Sequence, residues 1–216
     1  MKITEEMYRQ ALEQRHGKEQ QKILEGSTVG VAGLGGLGSH IAVMLARMGV
    51  GNLVLADFDT VDLTNIHRQQ YTLDDVGKKK TEAILGYLKK VNPYINYRIF
   101  DGKITGENAG EIYADCQIVC EAFDQPQAKA MLIETLLERM PKLYLVTGSG
   151  MAGIGSANTM ETSRPFQRLY VCGDKVSEVG EEEGLFSPRV TLCAAQEALN
   201  RVHFVHFKIK DLAQIV

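Results

Sequence analysis

Three glycines near the start of the chain have a spacing that suits the binding of phosphate. Gly33, Gly35 and Gly38 form a GxGxxG pattern between an apolar run and the start of a helical pattern. Glycine at these positions permits a tight turn, close approach of the backbone to phosphate, and close packing of helix on strand. The N–H groups and positive dipole end of the following helix attract an anion. The pattern alone is weak evidence, because a glycine turn between a strand and a helix needs no ligand.

A carboxylate follows the second apolar run at the distance that nucleotide sites use. Asp57 comes directly after the apolar residues 53–56, about twenty residues beyond the last glycine, where a carboxylate accepts hydrogen bonds from ribose hydroxyls. The glycine pattern and this carboxylate together predict a nucleotide site.

Cationic and amide side chains stand just past this carboxylate. Asn65, Arg68 and Gln69 lie within a dozen or so residues of Asp57. A hydride-transfer enzyme does not require such a cluster, whereas a triphosphate needs cations and amide donors at this point. The cluster therefore favours ATP over NAD. Taken alone, Arg68 is equally well explained as a surface arginine that pairs with a nearby aspartate.

The elements that must position these residues alternate between strand and helix. Such alternation requires crossover connections and therefore an α/β fold: a Rossmann-like, doubly wound, mostly parallel sheet with helices on both faces. A helical pattern over 4–25 precedes it, and a glycine-rich turn after 146 predicts an antiparallel extension before a final helix. We expect strands at 28–32, 52–56, 95–100, 117–120 and 143–146, and helices at 37–48, 79–90, 106–113 and 126–140.

Length and composition indicate one domain. The 216 residues, 44% of them hydrophobic, suffice for a single core. We divide the chain into a helical arm (1–26), a Rossmann-like nucleotide-binding half (27–147) and a carrier-binding extension with a C-terminal helix (148–216). The net charge of −3 gives no general attraction to nucleic acid or an anionic membrane. With no apolar stretch of membrane-span length and no secretory signal, we expect a cytoplasmic protein.

Five motifs in order resemble those of the ThiF/MoeB/HesA adenylyltransferases, which are related to ubiquitin-activating enzymes. After the glycine motif come Asp-x-Asp-x-Val from Asp57, Thr-Asn-x-x-Arg-Gln from Thr64, Gly-x-x-Lys from Gly77, and Asp124 after the fourth strand. The resemblance extends from the leading arm to the final helix. Within the family, the chain looks most like the short ThiF branch of thiamine biosynthesis.

The resemblance implies an ATP site that uses Mg²⁺. In such a site Arg68 and Lys80 neutralise the triphosphate, Asp124 holds Mg²⁺, and Arg9 from the arm of another subunit reaches the phosphates, so that a homodimer completes the site. The family spacing favours Lys80 as the phosphate lysine, but the adjacent Lys79 could take this role instead. Asp124 is equally well explained as a helix cap. The implied nucleotide-binding residues are Gly33, Gly35, Gly36, Gly38, Asp57, Asp59, Thr64, Asn65, Arg68, Gln69 and Lys80.

The resemblance also implies a reaction and a partner. A small ubiquitin-like sulfur carrier protein would present its C-terminal Gly-Gly carboxylate, which attacks the α-phosphorus of ATP and releases pyrophosphate. Because the substrate is itself the nucleophile, catalysis needs positioning and charge neutralisation rather than a catalytic triad. The glycine-rich stretch 148–155 could leave room for the Gly-Gly tail, or it could be a plain crossover loop.

The cysteines depart from the pattern of many relatives, which bind a structural zinc through two CxxC pairs. Cys116, Cys120, Cys172 and Cys193 form no such pair, so we expect no zinc and four buried structural thiols. Residues 181–186, where some relatives carry a reactive cysteine, hold no thiol. We therefore expect activation of the carrier without covalent transfer to a cysteine.

Three alternatives stay open at this point. The first is a molybdopterin-type or tRNA-modifying adenylating relative, and the lack of a long basic patch counts against tRNA. The second is an NAD- or FAD-dependent oxidoreductase, which Asn65, Arg68 and Lys80 disfavour. The third is a non-catalytic carrier-binding scaffold, which would not need Arg68, Lys80 and Asp124 together.

Overall fold

A computed structural model describes residues 2–180 and 183–213 of the chain, with only the course of the final helix along 201–213. Strands and helices alternate as the sequence predicts. The strands are β1 (Thr28–Ala32), β2 (Asn52–Asp57), β3 (Asn96–Asp101), β4 (Ile118–Glu121), β5 (Tyr144–Gly148), β6 (Glu161–Phe166) and β7 (Leu169–Gly173). The helices are α1 (Glu5–His16), α2 (Lys18–Glu25), α3 (Gly36–Arg47), α4 (Lys80–Val91), α5 (Ala109–Ile112), α6 (Pro126–Arg139) and α7 (Ser187–Ala213), with short 3₁₀ turns at Leu63–Arg68, Leu73–Asp75 and Ala157–Thr159.

The described strands form one seven-stranded sheet of order β3-β2-β1-β4-β5-β7-β6. Every neighbouring pair is parallel except β6 and β7, which are antiparallel. The Rossmann-like, doubly wound sheet with an antiparallel extension is therefore confirmed. The chain order reverses between β1 and β4, and open α/β sheets bind ligands outside the carboxyl ends of the strands at such a point. This switch point places the candidate site.

Alternate residues of the central strands face two separate cores. Val29 and Val31 of β1 belong to the cluster that α3, α4 and α7 cover, whereas Ala32 belongs to the cluster that α5 and α6 cover. Helices on both faces explain why the central strands are almost continuously apolar. Buried strands of this kind hold the loops at their ends in fixed positions.

The leading arm differs from the continuous helical pattern that the sequence predicts. Gly17 has φ of +85°, a conformation that favours glycine, and it ends α1 and begins α2. None of the residues of α1 is buried, whereas α2 buries Gln21 and Leu24. The arm is therefore helical, but it consists of two helices, of which the second packs on the domain.

Two further differences concern element lengths and the sheet edge. The helix predicted at 106–113 is reduced to the single turn α5, because the preceding residues form a turn in which Asn108 and Thr105 exchange hydrogen bonds. At the far edge, the pairing of β6 with β7 is interrupted between Ser163 and Phe166. No helix in the described part of the chain is long and apolar enough to cross a membrane.

Candidate nucleotide site

The glycine loop between β1 and α3 is closed on its inner side and open on its outer side. A Cβ atom on Gly38 would lie 1.8 Å from the carbonyl oxygen of Gly33, and one on Gly33, whose φ is +91°, would lie 2.9 Å from the carbonyl oxygen of Ala122. A Cβ atom on Gly35 would meet only the Nε2 atom of Gln69, at 3.8 Å. The loop therefore packs against itself and the end of β4, and it leaves space beside Gly35 for a ligand.

Asp57 fixes this loop in addition to ending β2. Its carboxylate is 7% exposed, and it accepts hydrogen bonds from the backbone N–H of Leu34 at 2.6 Å and of Asp59 at 2.8 Å. Each carboxylate oxygen has two lone pairs, so both can accept a further hydrogen bond. The contact of Asp57 with ribose stays a prediction. The sequence did not indicate that Asp57 also binds the backbone of the glycine loop.

The structure distinguishes the two neighbouring lysines. Lys80 is the first residue of α4, its side chain is 7% exposed, and its Nζ lies 2.9 Å from the Oδ2 atom of Asp59. Lys79 is 54% exposed and pairs with Asp101. Lys80 is therefore buried beside Asp59, whereas Lys79 lies on the surface. Lys80 as the phosphate-binding lysine stays a prediction.

Arg68 lies against the amino end of α3, at the end of the 3₁₀ turn Leu63–Arg68. Its Nε atom is 3.8 Å from the position of a Cβ on Gly36, and its guanidinium donates to the Oδ1 atom of Asn65 at 3.0 Å. Burial lowers the pKa of Arg68, and the carboxylate of Asp124 opposes that shift. Arg68 therefore lies beside the glycine loop and within electrostatic reach of Asp124.

Asp124 lies in the turn between β4 and α6. It is exposed, and it makes no hydrogen bond or ion pair with any residue that the structure describes. The N-cap of α6 is Gln125, without a capping side chain, so Asp124 is not used as a cap. An exposed carboxylate beside a phosphate site suits Mg²⁺, which binds through one or two carboxylates together with phosphate oxygens.

Gln69 and Thr64, the two other side chains predicted to contact the nucleotide, have different surroundings. Gln69 is 8% exposed, and its Oε1 atom has no partner among the described residues, which is unusual for a buried acceptor. Thr64 instead donates from its backbone N–H and its hydroxyl to Asp62, whose carboxylate caps the 3₁₀ turn. Gln69 is therefore available to a ligand, whereas Thr64 acts on the turn that carries Arg68.

Arg9 lies away from this cluster in the same chain. Its guanidinium pairs with Glu6 and Glu13 of α1. The neighbouring Tyr8 contacts the carbonyl oxygen of Val91 at the carboxyl end of α4, at the opposite end of that helix from Lys80 and about 17 Å from it. Only the Arg9 of a second copy could complete the site, and that role stays a prediction.

The four cysteines are buried, as expected. Burial raises the pKa of Cys172 to about 12, and it raises the pKa of Cys193 further. Raised pKa values of this kind are typical of buried structural thiols. Among the residues that the structure describes, no group of three or more metal-ligating side chains comes together, while zinc itself stays untested. Glu181 and Glu182, in the segment expected to lack a thiol, lie outside the described residues.

The sequence model of the ThiF family matches residues 7–213. The chain belongs to the ThiF family. The predicted resemblance to the ThiF/MoeB-like proteins is therefore confirmed, while the branch within the ThiF family stays unspecified.

Curated relatives of this ThiF-family chain carry a second name besides adenylyltransferase. The chain is 32% identical over 180 residues to the adenylyltransferase and sulfurtransferase UBA4 of Meyerozyma guilliermondii, covering 81% of this chain and 42% of that one. It is 28% identical over 204 residues to the protein of the same name from Pyricularia oryzae, covering 88% and 41%. The chain thus spans between 26% and 42% of the length of these and similar relatives.

Solved structures share the fold of the ThiF-family chain. The E. coli tRNA N6-threonylcarbamoyladenosine dehydratase TcdA, in complex with ATP, superposes with a TM-score of 0.86 over 98% of this chain and 99% of that one, at 20% identity. E. coli MccB superposes with a TM-score of 0.65 at 26% identity, over 86% of this chain and 57% of that one. At 20% identity the likeness to TcdA concerns the fold alone.

Sequence reasoning missed several residues that support the site in this ThiF-family chain. Tyr71 is buried, and its hydroxyl donates to the carbonyl oxygen of Leu34 in the glycine loop at 2.8 Å. Glu121 ends the apolar strand β4 and is fully buried, and Lys129 of α6 pairs with it at 2.6 Å. A charged residue at the end of an apolar strand is a signal that could have identified Glu121. Nothing comparable in the sequence marks Tyr71.

Proposed function

We propose that this chain is an ATP-dependent adenylyltransferase that activates the C-terminal glycine carboxylate of a small ubiquitin-like sulfur carrier protein. One observation carries the proposal: Arg68 lies beside Gly36 of the glycine loop and interacts electrostatically with Asp124, while Lys80 pairs with Asp59, whose backbone is bound by the Asp57 that also binds the loop. Two cations and a carboxylate around a helix amino end suit a magnesium-bound triphosphate better than a dinucleotide.

In the proposed reaction, a carboxylate oxygen of the carrier attacks the α-phosphorus of ATP. The bond from that phosphorus to the oxygen bridging to the β-phosphate breaks, and pyrophosphate leaves with its electron pair. Lys80 and Arg68 stabilise the charge that develops on the phosphates, and the amino end of α3 contributes its N–H groups. Asp124 would hold a magnesium ion, whose charge stabilises the leaving pyrophosphate.

The carrier is the finer part of the proposal. The curated relatives named adenylyltransferase and sulfurtransferase support a sulfur carrier as the partner. We propose the thiamine thiazole pathway for the carrier and the cytoplasm for the reaction; the names of the curated relatives and of TcdA mention sulfur transfer and tRNA, not thiamine. The glycine-rich stretch 148–155 is the proposed path of the tail, but Gly148 and Gly150 do not leave open space: Cβ atoms there would meet Glu197 and Asp174, so these two glycines serve the packing of the stretch itself.

The test is ATP–pyrophosphate exchange with the purified chain, Mg²⁺ and a panel of small carriers from thiamine and molybdopterin synthesis that end in Gly-Gly. Exchange that needs the carrier, and that disappears when the carrier is amidated at its C-terminus, supports the proposal. We expect Asp124→Asn to abolish exchange and Asp115→Asn, an exposed aspartate that pairs with Arg98, to preserve it. Exchange with the molybdopterin carrier alone would assign the chain to that pathway.

Other outcomes would replace the proposal. Exchange that needs tRNA carrying N6-threonylcarbamoyladenosine instead of a carrier would indicate a tRNA-modifying relative, as TcdA is. Carrier binding without exchange would indicate a scaffold. Tight binding of NAD or FAD without ATP would indicate an oxidoreductase.

We further propose that two copies form a homodimer in which Arg9 of each copy serves the site of the other. A mixture of Arg9→Ala and Lys80→Met chains tests this, because a mixed dimer then contains one complete site. We expect recovery of about a quarter of the exchange activity after random mixing. If Arg9 acted within its own chain, the mixture would stay inactive.

A further inference from the structure

A buried ion pair lies directly behind the proposed magnesium ligand. Glu121 is fully buried, and its Oε2 atom lies 2.6 Å from the Nζ atom of Lys129. The same oxygen accepts a hydrogen bond from the hydroxyl of Thr147. Burying a carboxylate is costly, and an apolar pair of similar volume is often as stable or more so. The pair therefore calls for an explanation beyond stability.

Both members of the pair bind the backbone of one residue. The Oε1 atom of Glu121 accepts the backbone N–H of Phe123 at 2.7 Å, and Lys129 donates to the carbonyl oxygen of Phe123 at 3.3 Å. Phe123 immediately precedes Asp124 in the chain. The N–H and the carbonyl group of this residue are thus held from two different elements, β4 and α6.

The same turn is also packed on the glycine loop. The backbone N–H of Ala122 donates to the carbonyl oxygen of Ala32 at 2.8 Å, and the ring of Phe123 approaches the Cβ position of Gly33 to 3.1 Å. Among the described residues, Asp124 interacts electrostatically with Arg68 but makes no hydrogen bond or ion pair of its own. The backbone that leads into Asp124 is therefore held at Phe123, by the two members of the ion pair.

We propose that Glu121 and Lys129 are positioning residues that hold Asp124 at the place where it binds the magnesium ion of ATP. This inference rests on the proposed function. Residues that orient a metal ligand typically change metal affinity by about 10- to 100-fold when they are replaced. Glu197 interacts electrostatically with both members of the pair, and burial raises its pKa.

The test compares ATP binding with Mg²⁺ and with EDTA, in the absence of any carrier, so that no adenylation occurs. The measured quantity is the dissociation constant of ATP in EDTA divided by its dissociation constant in Mg²⁺, both from equilibrium titration. A high ratio means that magnesium strengthens the binding of ATP. We expect Lys129→Met to lower this ratio about tenfold and to leave the affinity in EDTA within twofold. Lys129→Arg should restore most of the ratio. Asp124→Asn should remove the magnesium dependence.

A double-mutant cycle identifies the route of the effect. If Lys129 acts through Asp124, then Lys129→Met changes nothing further in the Asp124→Asn background. Arg168→Met is the matched control: Arg168 donates to the carbonyl oxygens of Leu137 and Met140 at the other end of α6. It should lower stability and leave the ratio unchanged.

A second variant separates an effect on folding from an effect on the position of Asp124. Lys129→Met leaves Glu121 buried without its cation, whereas Glu121→Gln with Lys129→Met removes both charges together. We expect the double variant to fold and to show the same reduced ratio. A folded double variant with the wild-type ratio, or a full effect of Lys129→Met in the Asp124→Asn background, would overturn the inference. Failure of the wild-type chain to bind ATP at all would instead refute the proposed function.

Discussion

Lys80 and Lys79 offer a matched pair of substitutions, because one lysine is enclosed in the site and its neighbour is at the edge. Lys80→Met keeps the volume of the buried stem and removes the charge. The carboxylate that loses its partner, Asp59, is 49% exposed and can be hydrated again. We therefore expect a stability loss of about 1 kcal/mol, which corresponds to a melting temperature lower by about 2–4 °C at this chain length.

The effect on ATP should be much larger than the effect on stability. A hydrogen bond to a charged group contributes about 1.5–3 kcal/mol, which predicts an ATP affinity weaker by roughly 10- to 150-fold for Lys80→Met. Lys79→Met removes a surface pair with Asp101 and should change the affinity by less than twofold. Equilibrium titration with magnesium-ATP, together with thermal melting of each variant, measures both quantities.

The reasoning fails if Lys80→Met binds ATP as tightly as the wild-type chain. It fails equally if Lys79→Met weakens binding as much as Lys80→Met does, since burial would then not distinguish the two lysines. A large loss of melting temperature for Lys80→Met would show that the ion pair with Asp59 serves the fold instead of the ligand.

Three further expectations concern stability. Gly38→Ala should lower the free energy of unfolding by about 3 kcal/mol in urea denaturation, because its Cβ would lie 1.8 Å from the carbonyl oxygen of Gly33. Burial lowers the pKa of His40, so protonation favours the unfolded chain as the pH falls below about 6.5; His40→Gln should make the melting temperature less dependent on pH between 7 and 5. Burial raises the pKa of Glu197, so its ionisation favours the unfolded chain above about pH 4.5; Glu197→Gln should stabilise the protein more at pH 8 than at pH 5.

Much of the fold could be predicted because the central strands are buried on both faces. Strands such as β1 and β4 are apolar almost throughout, and their spacing by helical patterns leaves few topologies other than a parallel sheet. The break at Gly17 was a readable signal, since a glycine in a helical pattern often ends the helix. The order of β7 and β6 in the sheet was not readable, because it depends on contacts distant in sequence.

Part of the site could be predicted because its residues are charged or polar and occur at the spacing of the family motifs. Arg68, Lys80 and Asp124 follow from the family pattern; the structure places Arg68 beside Gly36 of the glycine loop and pairs Lys80 with Asp59. The support provided by Tyr71 and Lys129 was not predictable, because each acts on backbone atoms, which every residue possesses. Sequence patterns identify side chains with unusual chemistry and miss ordinary side chains that bind a particular carbonyl group.

The irregular pairing of β6 with β7 affects how the protein behaves at high concentration. β6 is the last strand of the sheet, and its outer edge would otherwise offer a row of hydrogen-bonding groups to another molecule. Pro165 has no N–H to donate, the ladder is interrupted between Ser163 and Phe166, and the guanidinium of Arg164 lies 5.2 Å from the centre of the Tyr170 ring. Such an edge resists strand addition, so this end of the sheet is protected against edge-to-edge aggregation.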